Sequence, residues 1–407
     1  MRGGRPPRRA AAAPEARATP DLFAVTAPGL EPIVADELGA LGLKIVAVTP
    51  GGVEFEGDLD DLWHANLALR GASRVLLRVA SFRSTTFDEL RRRAARLPWE
   101  RYLARGDALQ LRVTCHASRL YHSGAVAERV AAAIADRLGF VPARAKGGSE
   151  DDDESGVAGP RTQLVLVRFE RDRCTVSADS SGELLHRRGY REATGKAPLR
   201  ETIAAALVLA SGWDAQSPLV DPLCGAGTIA IEAALLARRR APGRARRFAF
   251  MGWSDFDAAR WARLLEDADA RAAAAPTMPP ILASDRDPGA IAAARANAAR
   301  AGVEKDIVFS QRTVSDIAPP PGPGFVVTNP PHGVRLSRDA DLRNLYATLG
   351  RVLRARCPGW RVALLSPGPR LWNATGIALA PRLRVRHGGL GLVLVTGVVS
   401  QTTEPSP

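Results

Sequence analysis

Cysteine is scarce in this chain, and long apolar runs are missing; each shortage narrows what it can be. The four cysteines, Cys115, Cys174, Cys224 and Cys357, stand far apart and form no C-x-x-C pair. Their spacing speaks against a disulfide-framed scaffold and a zinc site, and fits a reduced, cytoplasmic compartment without a metal. No apolar run reaches the roughly 18 residues that a membrane-spanning helix needs, so no membrane partner is expected. An apolar leader is missing too. Met1 to Pro20 is rich in Arg, Ala and Pro and reads as a disordered basic tail.

Positive charge is in excess. Among 407 residues, 56 are Lys or Arg and 43 are Asp or Glu, a formal net charge of +13 carried mostly by arginine. Arginine makes planar, bidentate contacts to phosphate, so nucleic acid is the leading partner class. A genome that prefers arginine to lysine would raise the same count without any such role. The length suggests two or three domains, each able to bury a core.

From Asp21 the pattern is globular. Leu22 to Thr26 reads as a strand, and Leu30 to Leu41 as a helix with Leu30, Ile33, Val34, Leu38 and Leu41 on one face. Paired strands Lys44 to Thr49 and Gly52 to Glu56, a helix Leu59 to Leu69 and a strand Arg74 to Ala80 complete an α+β unit over 21–80. The next unit, 81–180, is basic. Its helix Phe87 to Leu97 exposes Arg91, Arg92, Arg93 and Arg96, and its strand Ala108 to Thr114 leads into Arg119-Leu120-Tyr121-His122 and a helix Gly124 to Leu138. The acidic run Ser149 to Ser155 reads as a solvated loop. Strands Thr162 to Phe169 and Cys174 to Ala178 close the unit.

A basic and aromatic cluster, Leu185-His186-Arg187-Arg188-Gly189-Tyr190-Arg191, precedes a helix over Leu199 to Ser211. Charge runs are usually solvated faces. Its place between a basic unit and a ligand turn favours a grip on substrate through Arg187, Arg188, Tyr190 and Arg191. From there to residue 400 strands and helices alternate, as an α/β doubly wound sheet requires. The strands are one at Val220, then Ile281 to Ser284, Ile307 to Phe309, Phe325 to Thr328 and Arg361 to Ser366. Leu383 to His387 and Leu390 to Val399 flank Gly388-Gly389 as a closing hairpin. Such a hairpin is unusual for dinucleotide folds and suits a class I methyltransferase sheet.

The chain is organised around Pro218 to Ala230, a buried strand, a tight turn through Asp221, Pro222, Cys224, Gly225 and Gly227, and a helix opening at Thr228. The two glycines let the backbone turn sharply and offer helix N–H groups to a ligand. Their spacing also fits a dinucleotide fingerprint. Asp221 opposes NAD, because at the mouth of the turn it would repel a pyrophosphate but accept hydrogen bonds from an ammonium group. About twenty residues on, where an acidic ribose ligand belongs, stands Arg238-Arg239-Arg240. The next strand ends at Asp285, where a ribose can sit. S-adenosylmethionine fits both ends of that pocket.

A second turn, Thr328-Asn329-Pro330-Pro331-His332, follows the apolar strand Phe325-Val326-Val327. Pro-Pro commonly just ends a strand. At the carboxyl end of a parallel strand, downstream of a ligand turn, it is more specific. An exocyclic amine on a base is a poor nucleophile because its lone pair is delocalised into the ring. The Asn329 oxygen and the Pro330 carbonyl can each accept one amine N–H and steer the nitrogen towards pyramidal geometry. Pro331 adds no competing N–H, and His332 can stack on a flipped-out base. Methyl transfer then needs mainly positioning and electrostatics.

These motifs, with Ser284-Asp285-Arg286-Asp287, Ala27-Pro28-Gly29-Leu30-Glu31 and Ala197-Pro198-Leu199-Arg200-Glu201, resemble those of THUMP-domain class I RNA methyltransferases, and among them the bacterial large-subunit ribosomal RNA guanine-N2 methyltransferases. The resemblance spans about Asp21 to Val399. It implies a ferredoxin-like unit, a THUMP domain that binds structured RNA, and a Rossmann-like domain using S-adenosylmethionine. It implies further that Asp221, Cys224, Gly225 and Gly227 line the methionine side, that Asp285 takes the ribose hydroxyls, and that Asn329, Pro330, Pro331 and His332 hold the base. Arg119, Tyr121 and His122 are expected at the RNA. Three positions depart from the family pattern: His332 stands for tyrosine, Val334 for glutamate, and Thr313 for an adenine-binding aspartate that Asp316 could replace. Two other functions remain open, DNA adenine-amine methylation and a non-catalytic RNA-binding or assembly factor with a decayed site.

Overall fold

The computed structural model describes residues 21–145, 161–191, 199–332, 339–387 and 389–400. The expected basic tail, the acidic loop and Val334 lie outside these residues. The first half of the chain runs β1 (Asp21–Thr26), α1 (Glu31–Ala40), β2 (Lys44–Thr49), β3 (Gly52–Glu56), α2 (Leu59–Ala68), β4 (Ala72–Arg83), α3 (Phe87–Ala94), β5 (Ala108–His116), α4 (Ser123–Leu138), β6 (Ala143–Arg144), β7 (Thr162–Glu170) and β8 (Arg173–Asp179). Local chemistry sets several helix ends. Asp58 and Asp61 form a reciprocal capping box on α2, Thr86 caps α3, and Gly139 ends α4 in the left-handed conformation.

All eight strands join one sheet, in the order β2-β3-β1-β4-β8-β7-β5-β6. The first two expected units therefore share a sheet. β4 carries this continuity, because it runs through residue 80, pairing with β1 in its first half and with β8 through Arg83.

The second half runs α5 (Glu201–Ala210), β9 (Leu219–Asp221), α6 (Thr228–Ala237), α7 (Ala258–Ala273), β10 (Ile281–Asp285), α8 (Pro288–Arg300), β11 (Ile307–Gln311), β12 (Phe325–Thr328), α9 (Asp339–Arg356), β13 (Arg361–Ser366), α10 (Pro369–Ala374), β14 (Leu379–His387) and β15 (Leu390–Val398). Its sheet has the order β11-β10-β9-β12-β13-β15-β14, parallel as far as β13 and antiparallel through the final hairpin. The inner strands read as continuous apolar runs because helices cover both faces. No helix among the described residues is long and apolar enough to cross a membrane.

The arginine-rich stretch after α6 departs from the rest of this half. Phe248, Phe250, Trp253 and Trp261 pack into the core of the first sheet, not the second. Phe250 stacks on Trp63 of α2 at 5.6 Å and on Phe248 at 5.2 Å, and the Trp253 indole N–H donates to Gln163 of β7 at 2.9 Å. An aromatic cluster thus forms where the halves meet. At a second seam Leu30 and Ile33 join the core of the second sheet beside Leu199 and Val385.

Gly29, just before α1, shows how close this second approach is. Its φ is +97°, and a Cβ there would lie 1.6 Å from the Arg384 carbonyl oxygen of β14. Gly42 also has positive φ but faces open space. Gly42→Ala should cost about 1 kcal/mol from backbone conformation alone, and Gly29→Ala about 3 kcal/mol or more because two backbones must separate. Denaturant unfolding of both variants checks the difference; equal costs would mean that the seam yields.

Candidate active site

β9 and β12 run side by side in parallel, Leu219 opposite Phe325 and Val220 opposite Val326. Their last residues are Asp221 and Thr328, so the glycine turn and the Asn-Pro-Pro turn leave the sheet from adjacent strands at its carboxyl edge. β10 flanks β9 on the other side and ends at Asp285. From β9 the chain steps outward to β10 and β11 on one side and then crosses back to β12 on the other, so the strand order reverses between β9 and β12, and open α/β sheets bind ligands at such a reversal.

Asp221 and Thr328 are fully buried, and the Thr328 hydroxyl donates to Asp221 Oδ1 at 2.7 Å. The Leu223 N–H reaches the same oxygen at 3.3 Å. Asp221 Oδ2 has no hydrogen-bond partner, although buried. Burial pushes this carboxyl up to about 7; Thr328 and Leu223 pull it down, and nearby Asp285 adds to the rise. An ammonium group beside Oδ2 would relieve that cost. Asn329 Oδ1 is a second buried oxygen without a partner.

Gly225 and Gly227 both have positive φ, +51° and +81°. Their reasons differ. A Cβ on Gly225 would meet no described atom within 4 Å, so this backbone faces open space, whereas one on Gly227 would come 2.9 Å from the Ala294 Cβ of α8. The Gly225 N–H donates to Asp285 Oδ2 at 3.0 Å, and the Asp287 N–H to Oδ1 at 3.0 Å. Each Asp285 oxygen keeps lone-pair capacity for a ligand hydroxyl. Pro222 and Cys224 are buried behind the turn. Burial raises the Cys224 thiol far above its ordinary range, with Asp221 and Asp285 adding to it, so it stays protonated and no nucleophile. Thr313 and Asp316, expected as alternatives, bond to each other at 2.7 Å just beyond β11, whose Gln311 pairs with Asp285. These residues together fit a ligand that is cationic at one end and carries a ribose at the other.

In the second turn, His332 Nδ1 lies 2.9 Å from the Pro330 carbonyl oxygen. That carbonyl accepts, so Nδ1 is its protonated partner and one Pro330 lone pair remains free. Burial lowers the His332 pKa, against the carbonyl's pull, and leaves the ring neutral near pH 7. Pro331 is exposed at the rim.

The cluster before α5 requires a correction. Arg188 and Tyr190, expected at the RNA, are buried, and both donate to the Glu232 carboxylate of α6, Tyr190 at 2.8 Å. Arg191 is half-buried and donates to the Leu199 carbonyl at 2.6 Å and to Thr228 Oγ1 at 2.8 Å. A guanidinium so held is already spoken for. Arg187 is half-buried, and its carbonyl accepts from Arg246. Arg119, Tyr121 and His122, by contrast, are exposed on the first half, with Tyr121 and His122 ring centroids 4.1 Å apart. Sequence reasoning misses Glu232 altogether. Its signal was there: it is the lone charged residue of the apolar helix Thr228–Ala237.

Residues 188–394 match a family described as RMKL-like, methyltransferase domain, and residues 21–76 one described as RlmL ferredoxin-like domain. The chain is 37% identical over 383 residues to the ribosomal RNA large subunit methyltransferase K/L of Syntrophotalea carbinolica, covering 91% of this chain and 52% of that protein. It thus spans about half the length of that curated relative. It is 35% identical over 379 residues to a Synechocystis sp. protein named as a candidate RNA methyltransferase, covering 93% and 96% of the two. A crystal structure from Listeria monocytogenes, described as a predicted N6-adenine-specific DNA methylase, is 35% identical with a TM-score of 0.79, covering 92% and 96%. Another, of a candidate methyltransferase complexed with SAH, is 29% identical with a TM-score of 0.81, covering 96% and 100%.

Two outcomes follow from this geometry. An unfolded aspartate titrates near about 4, so the folded ligand-free chain holds the Asp221 proton more tightly. That stability is present below about pH 4 and lost as pH rises to about 7. Asp221→Asn should therefore be more stable than the parent at pH 8, by a few kcal/mol, and the gap should narrow in melting curves at pH 5. Arg188→Ala leaves Glu232 without its closest partner and should cost about 3 to 5 kcal/mol in denaturant unfolding. Unchanged stability with weakened RNA binding would return Arg188 to the substrate surface.

Proposed function

The chain belongs to the RMKL-like methyltransferase family, and from that premise we propose that it transfers a methyl group from S-adenosylmethionine to guanosine N2 in structured RNA, with 23S ribosomal RNA favoured over transfer RNA. The observation that carries this reading is the pair of buried, unpartnered oxygens, Asp221 Oδ2 and Asn329 Oδ1, at the ends of adjacent strands. One suits an ammonium group and the other an amine N–H. When bound, S-adenosylmethionine supplies an electrophilic methyl on a sulfonium. Asp221 would hold its ammonium group, Asp285 would take the ribose hydroxyls, the open backbone at Gly225 would leave room for it, and Thr313 or Asp316 would serve its adenine.

The Asn329 oxygen accepts one amine N–H, and the free lone pair of the Pro330 carbonyl accepts the other. The amine nitrogen would then present its lone pair before any proton is lost; as its bond to the methyl forms, the methyl–sulfur bond breaks, and the extra proton left on the methylated nitrogen passes to water after transfer. His332, neutral and tethered to Pro330, packs against the base.

RNA is supported by the net charge of +13, by the exposed Arg92 of α3 and Arg96 just after it, and by the exposed Tyr121-His122 pair beside Arg119; Arg91 and Arg93 are already paired with Asp136 and Glu89. We assign residues 81–180 as the THUMP unit, 21–80 as the ferredoxin-like unit and 181–400 as the transferase, and place the protein in the cytoplasm. The description of the Listeria structure favours a second reading, the adenine amine of DNA, which the same Asn-Pro-Pro geometry can serve.

Labelled S-adenosylmethionine, offered with total RNA or with duplex DNA, decides between them. The expected result is label in RNA as N2-methylguanosine, with Asn329→Ala lowering kcat about 100-fold or more while S-adenosylhomocysteine binding persists. Label on DNA adenine establishes the second reading. No transfer to any RNA, with Asn329→Ala behaving like the parent, removes the proposal.

A further inference from the structure

Thr328 lies between the two half-sites just described and belongs to neither. It ends β12, is completely buried, and pairs in register with Leu364 of β13 on one side, while its hydroxyl reaches Asp221 of β9 on the other. A β-branched residue in a strand held on both flanks has little freedom at χ1. The hydroxyl therefore fixes which Asp221 oxygen is engaged and which is left open. That oxygen is Oδ2. One peptide bond further on stands Asn329, whose backbone is narrowed to extended conformations by the proline after it.

We propose that Thr328 is a positioning residue that ties the ligand carboxylate at Asp221 to the amine acceptor at Asn329, so that one buried hydroxyl sets the register between methyl donor and target base. The inference rests on the methyl-transfer reading and adds to it a physical link between the two sites. A hydrogen bond from a neutral hydroxyl to a carboxylate stabilises the ionised form and its orientation. Without it, Asp221 is free to turn or to stay protonated, and either change removes the partner of an ammonium group. The same loss loosens the start of the Asn-Pro-Pro turn, and misplacements of about 1 Å cost on the order of 100-fold in rate.

The purely structural alternative is that the hydroxyl only satisfies a buried carboxylate. Thr328→Val keeps the shape and removes the hydroxyl, and Thr328→Ser does the reverse. Calorimetry with S-adenosylhomocysteine reads the donor half without any turnover, and kcat at saturating donor and RNA reads the alignment. Thr328→Val should weaken S-adenosylhomocysteine about 10-fold and lower kcat about 10-fold or more, whereas Thr328→Ser should recover both to within about 3-fold of the parent. In an Asp221→Asn background Thr328→Val should add no further loss of affinity, because the two act as one unit.

The proposal falls if Thr328→Val changes only the unfolding midpoint, if Thr328→Ser fails as badly as Thr328→Val, or if the losses with Asp221→Asn simply add. A parent that binds no S-adenosylhomocysteine removes the donor-site reading, and this inference with it. A parent that binds it while Thr328→Val binds equally well removes the inference alone.

Discussion

Glu232 is buried on α6, accepting hydrogen bonds from Arg188 and Tyr190, with Arg70 Nη1 3.8 Å away. Arg70 comes from the first half of the chain, between α2 and β4, and also donates to the carbonyls of Leu235 and Arg240. Ionic groups withdrawn this far from water are tolerable only while every partner is present. The cluster therefore permits few relative placements of the two halves. α6 is also the helix opened by the glycine turn, so what pins Glu232 pins the ligand turn. Arg191 on Thr228 and Arg300 on the Tyr190 carbonyl extend the same restraint. Residues that look like an RNA grip in the sequence thus hold the glycine turn in place.

The aromatic insert works at the same seam by a different force. Phe248, Phe250 and Trp261 leave the sheet to which their sequence neighbours belong and fill the core under α2. Large apolar surface and stacking geometry supply the attraction, and the ionic cluster supplies the register. The proposed site can then be built from short strand ends and two turns, because its supports are placed from both sides.

Much of this was legible because it follows from local pattern. β2, β3, β12 and β13 end at the residues where apolar runs and turn residues place them. The alternation after Gly212 declares a parallel sheet, and two short motifs mark its binding edge. What stayed hidden was non-local. The charge of Arg188 is visible in a sequence but its direction is not, and only the lone Glu232 in an apolar helix hinted that basic residues turn inward. A boundary at residue 80 looked natural because composition changes there, yet β4 is long enough to serve both neighbours. Thr328 carried no signal of its own, since its importance comes from a strand neighbour more than a hundred residues earlier, Asp221.

The contact between Gly29 and the Arg384 carbonyl has a consequence for how the protein is made. β1 and α1 leave the ribosome before the hairpin they lean on, which is the last of the described elements to follow them. Until then Leu30 and Ile33 lack part of their apolar surroundings, including Val385. The nascent amino-terminal half must wait with a greasy flank uncovered, and a transcript cut short before β14 would yield a product that chaperones and proteases can recognise.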